Sequence, residues 1–304
     1  MLCKQPYMAG SMPYGCGQCL PCRINRGRQW QWRQFLESTQ HEHSCFVTLT
    51  YDNKHISGNW ALDPRHLQLF LKRLRSSLYP TPIRYFACGE YGDTSRRPHY
   101  HLSLFGVSGY NLVNGKPVAT KAYPRGIETV VSGHIHESWG CGRVDVQEFN
   151  HVTAAYVAGY TTKKLRDLKN GFEWNYPEYA RQSNRPGLGV SAMVHLANII
   201  LNTYQNWESG DVPSVLSIGN RRIPLGRYLL HHLRQNVGFT HEYIALVKQR
   251  ITYNKTIELQ TLFNAAEANT FKGAYLKDVE GRMNQVEAKA RRMAIANLSR
   301  RGRL

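Results

Sequence analysis

Acid is the scarce charge in these 304 residues. Twenty-one Asp and Glu stand against 39 Lys and Arg, leaving a formal charge of +18 and an isoelectric point near 9.7. Such a surplus attracts phosphate backbones and makes binding salt-sensitive. The blander alternatives are a solvated basic surface or a ribosome-like RNA binder. No run approaches the ~20 apolar residues that a membrane-spanning helix needs. The opening MLCKQPYMAGSMPYG has no apolar h-region, so a secretory leader is not expected. The seven cysteines are then expected reduced, in an intracellular protein. No G-x-x-x-x-G-K-[ST] loop occurs, so no nucleotide cofactor is expected. Long-period repeats and low-complexity tracts are also missing.

What is there centres on RPHYHLSLFG, residues 97–106. His99 and His101 sit one residue apart in an apolar, aromatic run. Strand side chains alternate faces, so both imidazoles project from one side and suit a divalent ion. RYFACGEYG, residues 84–92, reads as the partner strand of a hairpin, the turn formers GDTSRR lying between them. Glu90 there can supply a carboxylate to the same ion. This mix of imidazole and carboxylate is compatible with Mn²⁺ and acceptable for Mg²⁺. In AAYVAGYTTKKL, residues 154–165, Tyr156 and Tyr160 are four apart on one helical face. Gly159 between them costs a helix ~1 kcal/mol relative to alanine, which suggests close approach by DNA or by the sheet. Another H-x-H, His134 and His136, lies among Gly, Ser and Glu without a β-run and reads as a decoy at the start of a short helix.

A metal-binding strand followed by a helix with paired tyrosines reads as a nuclease that joins DNA covalently to tyrosine. The sequence resembles the HUH replication initiators of rolling-circle phages, and most closely those of gokushovirus-type microviruses. FVTLTYD at 46–52, GEYG and RPHYHLSLFG within 89–106, and YVAGYTTKK at 156–164 carry the resemblance in order. The CGQC and CR stretch at 16–23 is similar as well. The resemblance implies a central antiparallel β-sheet with flanking helices, an α+β fold. It implies nicking and rejoining of single-stranded or melted origin DNA through a 5′-phosphotyrosine, in the host cytoplasm, with host helicase and polymerase as partners. It also implies a Y-x-x-K pattern, which Tyr160 and Lys163 satisfy and Tyr156 does not. Tyr160 is therefore expected to cut first, with Tyr156 second. Arg96, Arg97 and Lys164 are expected to contact DNA. Rival readings are a plasmid or transposon nuclease of the same chemistry and a non-catalytic zinc-containing nucleic-acid-binding protein.

Cys3, Cys16, Cys19 and Cys22 crowd the first two dozen residues. Their spacing can close a tetrahedral thiolate site for structural zinc, with an iron–sulfur cluster or ordinary thiols as alternatives. Residues 23–38 read as a basic helix. Asp63 and Pro64 open a helix with an apolar stripe through Leu67, Phe70, Leu71, Leu74 and Leu78. GRVDVQEF at 142–149 alternates like a strand. Residues 107–133 read as an insertion loop, and 170–188 as a linker. Helix 190–206, a hairpin turning at Gly219-Asn220 and a mostly helical basic remainder follow. The expected division is a Cys-rich segment 1–40, an endonuclease core 41–170 and a helical region 171–304.

Overall fold

The computed structural model describes residues 3–92, 94–110, 112–113, 116–117, 119–123, 126–129, 132–163, 176–203, 210–219, 221–266 and 268–285. For 112–129, 160–163 and 221 the description covers the backbone alone. In chain order the elements are β1 (Tyr7–Ala9), β2 (Met12–Tyr14), α1 (Leu20–Ser38), β3 (Ser44–Tyr51), α2 (Pro64–Ser77), β4 (Arg84–Tyr91) and β5 (Pro98–Phe105). Next come the short β6 (Leu112–Val113), β7 (Lys116–Pro117), β8 (Ala119–Tyr123) and β9 (Gly126–Thr129), then α3 (Gly133–Trp139), β10 (Gly142–Glu148) and α4 (His151–Lys163). The chain continues through β11 (Tyr179–Gln182), α5 (Val190–Thr203), β12 (Val215–Ile218), β13 (Arg221–Pro224), α6 (Gly226–Asn236) and α7 (His241–Ala265). Residues 271–285 are also helical. Compactness groups the chain into two units, Met1–Arg26 with Phe239–Leu304, and Gly27–Gly238.

The second unit is built on a five-stranded antiparallel sheet ordered β10-β3-β5-β4-β11. The His-x-His strand β5 is central and bonded on both sides. Alternation sorts its residues: Tyr100, Leu102 and Leu104 face one core, while His99, His101, Ser103 and Phe105 face the other way. The first face buries Val47, Leu49 and Tyr51 of β3 with Leu67, Phe70, Leu71 and Leu74 of α2 and Trp139 of α3. The second packs Phe46, Phe86 and Phe105 against Val157 of α4 and Trp30 of α1. An α+β sheet with helices on both faces results, as its alternating strands and amphipathic helices require.

Helix α2 forms where its capping residues dictate. The Asp63 carboxylate accepts the Arg65 N–H at 2.8 Å, and Pro64 occupies the first turn, where its missing N–H is harmless. The same cap is bolted to the sheet. Tyr100 Oη donates to Asp63 O at 2.7 Å, and accepts from Asp63 N at 3.1 Å and from Tyr51 Oη at 2.7 Å. Tyr51 in turn accepts from His66 Nδ1 at 2.9 Å. Burial pushes both phenols above their ordinary pKa, so they stay protonated and the donor chain has one direction.

Two stretches differ from expectation. The polar 170–188 contains β11, which pairs with β4 from Tyr179↔Gly89 to Gln182↔Phe86. Residues 107–133 carry two small ladders, β6 with β7 and β8 with β9. Neither shows apolar alternation, because short edge strands bury little. At the start of the chain, β1 and β2 form a further hairpin with no apolar signal.

Replacing Phe70, which is 0% exposed, by alanine is expected to lower unfolding free energy by about 3–5 kcal/mol in urea titration. Tyr100→Phe strands the Asp63 N–H and should lower it by about 1–3 kcal/mol. If Tyr100→Phe changes nothing, the cap-to-sheet network does not contribute.

Candidate metal centre and tyrosine helix

The hairpin register places Glu90 opposite His99 and Cys88 opposite His101, while Thr48 and Thr50 of β3 lie opposite His101 and His99 on the other side. Glu90, His99 and His101 thus meet on the α4 face, with one ligand atom from each within 4.8 Å of the others. His99 Nε2 lies 2.6 Å, and His101 Nε2 3.0 Å, from the same carboxylate oxygen, Glu90 Oε1. The far nitrogens are held. Nδ1 of His99 is 3.1 Å from Arg97 O, and Nδ1 of His101 is 2.9 Å from Thr48 Oγ1. A carbonyl only accepts, so His99 Nδ1 carries a proton and Nε2 turns its lone pair to the carboxylate. Two acceptors at that distance need a positive charge, either a second proton on the ring or a metal ion.

Burial alone would raise the Glu90 pKa, but the hydrogen bonds from His101 and His99 outweigh it and bring it down to about 2. Burial pulls His101 below its ordinary value, against the opposing pull of Glu90. The group at neutral pH is therefore a carboxylate beside an imidazole that burial favours as neutral, the protonation states that ligate metals. Glu90 Oε2 is buried with no hydrogen-bond partner among the described residues. A buried carboxylate oxygen left in that state is costly without a cation. The donor set and its second layer thus fit a divalent ion. Thr48 and the Arg97 carbonyl orient the two rings as outer partners do at metal sites. Alternation puts Thr48 on the site face, but its particular job depends on a cross-strand register that the sequence alone does not reveal.

Helix α4 lies over this face. Asn150 caps it, Oδ1 accepting from Val152 N at 2.8 Å and Thr153 N at 3.1 Å. The Tyr156 ring is 49% exposed, and stands edge-on to His101 at 5.3 Å and to Phe46 at 5.9 Å between centroids. Tyr160 and Lys163 lie on the same helix backbone, and their side chains fall outside the description, as does the whole of Lys164. A β-carbon at Gly159 would meet nothing within 4 Å, so packing on the sheet is not what calls for glycine there. His134 and His136 are exposed on α3, where residues two apart point to different faces.

Arg96 has a left-handed backbone, φ 54°, and its guanidinium lies 5.5 Å from the Tyr91 ring centroid. Arg97 donates to Tyr51 O at 2.7 Å and to Asn53 Oδ1 at 2.6 Å, and covers the Trp60 ring at 5.2 Å. Two of its donors are therefore committed within the protein.

The four early cysteines converge in the first unit, their sulfurs all within 4.8 Å of one another and none in a disulfide. Cys16 N donates to Cys3 Sγ at 3.3 Å, Cys19 N to Cys16 Sγ at 3.2 Å, and Cys19 Sγ lies 3.7 Å from Cys3 Sγ. Backbone N–H groups of Cys19 and Gln18 bring the Cys16 thiol down to about 6, while burial pushes Cys22 up to about 12. Cys3 N also donates to Tyr275 Oη at 3.2 Å. Cys45 and Cys88 are buried in the sheet, away from this cluster.

Residues 44–165 match the family model of the replication-associated protein ORF2. The chain is 32% identical over 165 residues to the replication-associated protein VP4 of Bdellovibrio phage phiMH2K, covering 51% of this chain and 50% of that protein. It is 33% identical over 158 residues to the replication-associated protein ORF4 of Chlamydia phage 1, covering 51% and 39% respectively. It is 34% identical over 182 residues to the replication-associated protein ORF2 of Spiroplasma virus 4, covering 57% and 55%. The chain thus spans about half the length, or less, of these curated relatives. No solved structure matches.

Calorimetric titration with Mn²⁺ should report binding that Glu90→Gln abolishes. Thr48→Val, which frees His101 Nδ1, should weaken it about 10–100-fold. Because protons compete for the imidazoles, affinity should fall as pH drops below about 6.5. Thr48→Val at wild-type affinity would show that the His101 ring needs no such support.

Proposed function

We propose, from the match of residues 44–165 to the replication-associated protein ORF2 family, that this chain is a replication initiator that nicks and rejoins single-stranded DNA at a phage origin. The observation that carries the reading is the convergence of Glu90, His99 and His101 beneath Tyr156, inside the matched segment. That arrangement supports tyrosine strand transfer better than binding alone.

Glu90, His99 and His101 would hold Mg²⁺ or Mn²⁺, which when bound polarises phosphate oxygens against attack. The remaining steps belong to the chain. A tyrosine of α4 loses its phenolic proton and its oxygen forms a bond to the scissile phosphorus. The bond from phosphorus to the 3′ oxygen breaks, that oxygen takes a proton, and a 5′-phosphotyrosine remains. Tyrosine is a weak nucleophile with a pKa near 10, so a nearby cation helps. Lys163, three residues after Tyr160, is assigned that role, and Tyr160 the first cut. Tyr156 takes the second, when the free 3′-OH attacks in reverse and closes the displaced circle. The phosphotyrosine conserves bond energy, so joining needs no nucleotide. The first 3′-OH primes a host polymerase, and unwinding comes from a helicase outside these residues. Arg96, Arg97 and Lys164 serve DNA binding.

The cysteine cluster is read as a structural zinc site. With Zn–S near 2.3 Å, a tetrahedral tetrathiolate has sulfurs about 3.8 Å apart, and Cys19 and Cys3 stand at 3.7 Å. A disulfide would need about 2.05 Å. Four soft thiolates and one hard imidazole–carboxylate set separate two metals by chemistry.

A denaturing gel with labelled origin-region single strand and Mn²⁺ tests the enzyme. A metal-dependent covalent band, reduced in Tyr160→Phe and lost in Tyr156→Phe/Tyr160→Phe, is expected. DNA binding without any adduct, across fragments covering the cognate genome and with either metal, would sink the nuclease and leave a basic DNA-binding protein. Elemental analysis of the purified chain should find about one zinc, lost in Cys16→Ser with adduct formation separately scored. A metal-free wild type with four titratable early thiols would remove the zinc reading alone.

A further inference from the structure

Trp60 stands out among the described residues. It and Arg96 are the non-glycine positions there with left-handed backbone, at φ 55° and 54°. A bulky residue in that region is strained by about 1–2 kcal/mol. Such conformations persist where surrounding structure over-determines them, often at ligand clamps. The loop around Trp60 is over-determined. Trp60 N donates to Ser57 O at 2.8 Å, and Ala61 N donates to Ser57 Oγ at 3.0 Å and Asn59 Oδ1 at 3.2 Å. The next residue, Leu62, is 2% exposed, and its N–H donates to Tyr91 Oη at 2.9 Å. So much anchoring holds out an indole that is still 40% exposed. If covering the core were its purpose, the ring would be expected to turn inward like Trp139, which is 0% exposed.

Behind the indole lies Arg97, its guanidinium 5.2 Å from the ring centroid and pinned by Tyr51 O and Asn53 Oδ1. Among the described residues no carboxylate pairs with Arg97, so its charge is undiminished. The Arg97 carbonyl accepts from His99 Nδ1 at 3.1 Å. One short stretch, 97–99, therefore carries both the support of the indole and a member of the ligand triad. An exposed aromatic face backed by a fixed positive charge is what an unpaired base and its phosphate recognise together. Duplex DNA, with its bases stacked inside, offers such a face only at an end.

We infer that Trp60, backed by Arg97, is a stacking platform for one unpaired base of the DNA strand, next to the phosphate held at the Glu90–His99–His101 centre. The inference rests on the strand-transfer reading for the identity of the strand. Arg97 then acts chiefly as a positioning residue for the indole, and not as a free phosphate clamp.

Fluorescence anisotropy with labelled single-stranded origin-region oligonucleotide, in metal-free buffer so that nothing is cut, tests it. Trp60→Ala should weaken binding roughly 5- to 150-fold, from stacking contributions of about 1–3 kcal/mol per base. Trp60→Phe should keep most of the affinity. Trp60→Gly relieves the left-handed backbone, so it should fold even if the alanine variant does not, and should bind as weakly. A scan with single abasic sites should find one position that penalises wild type and no longer penalises Trp60→Gly. Affinity within twofold of wild type in Trp60→Gly, or an unchanged abasic profile, would overturn the platform. A covalent adduct assay with wild type and Mn²⁺ separates the two ideas. No adduct beside a confirmed Trp60 effect leaves the platform on a non-cutting binder. An adduct beside an unaffected Trp60 variant keeps the nuclease and removes the platform.

Discussion

Two lone pairs 2.6 Å apart, one on His99 Nε2 and one on Glu90 Oε1, are the constraint around which the sheet's functional face is arranged. Acceptors repel unless a cation sits between them. The protein brings them together through a hairpin register that leaves them little alternative, with Glu90 directly opposite His99. It then fixes the far side of each ring with Arg97 O and Thr48 Oγ1. Burial in an apolar layer of Phe46 and Tyr156 raises the electrostatic stakes, because charge is screened less there. A site of this kind is unsatisfied by its own atoms and completed by positive charge.

Much of this was legible in the linear chain, and for a physical reason. Period-two alternation over 98–105 shows which residues share a face, so His99 and His101 declared themselves a pair. Period 3.6 over 64–77, with Asp63 before Pro64, marked α2 almost to the residue. Glu90 was legible because a tight hairpin returns it to the same end. Beyond local periodicity the reading thinned. Strand β11 is four polar residues on an edge, and no alternation marks it. Thr48 as the support of His101 needs the pairing of β3 with β5 across 53 residues. The same limit hid Trp60, which is visible only through its backbone angle and its distance to Arg97.

The cysteines show a different limit. Their crowding was visible, and their meeting at one point is now explicit. What joins them to the rest of their unit was not. Taken as linear segments, 1–40 and 171–304 lie apart, whereas contacts unite residues 1–26 with 239–304. Met12 and Thr256 touch across that divide, Thr256 Oγ1 lying 3.9 Å from Met12 Sδ. No composition or period can announce a contact of that span.

The hydrogen bond from Cys3 to Tyr275 crosses 272 positions, and that has a consequence in time. A ribosome adds about 5–20 residues per second. After Cys3 is made, its partner is missing for roughly 14–54 seconds, a span that follows from this elongation rate. The sheet carrying Glu90, His99 and His101 needs no residue beyond β11 for its five strands. Catalytic sheet and cysteine unit therefore have different birth orders: the first can close while translation continues, and the second must wait. During that wait the four thiols are exposed to whatever metals and oxidants the cell offers, with only part of their eventual shelter around them.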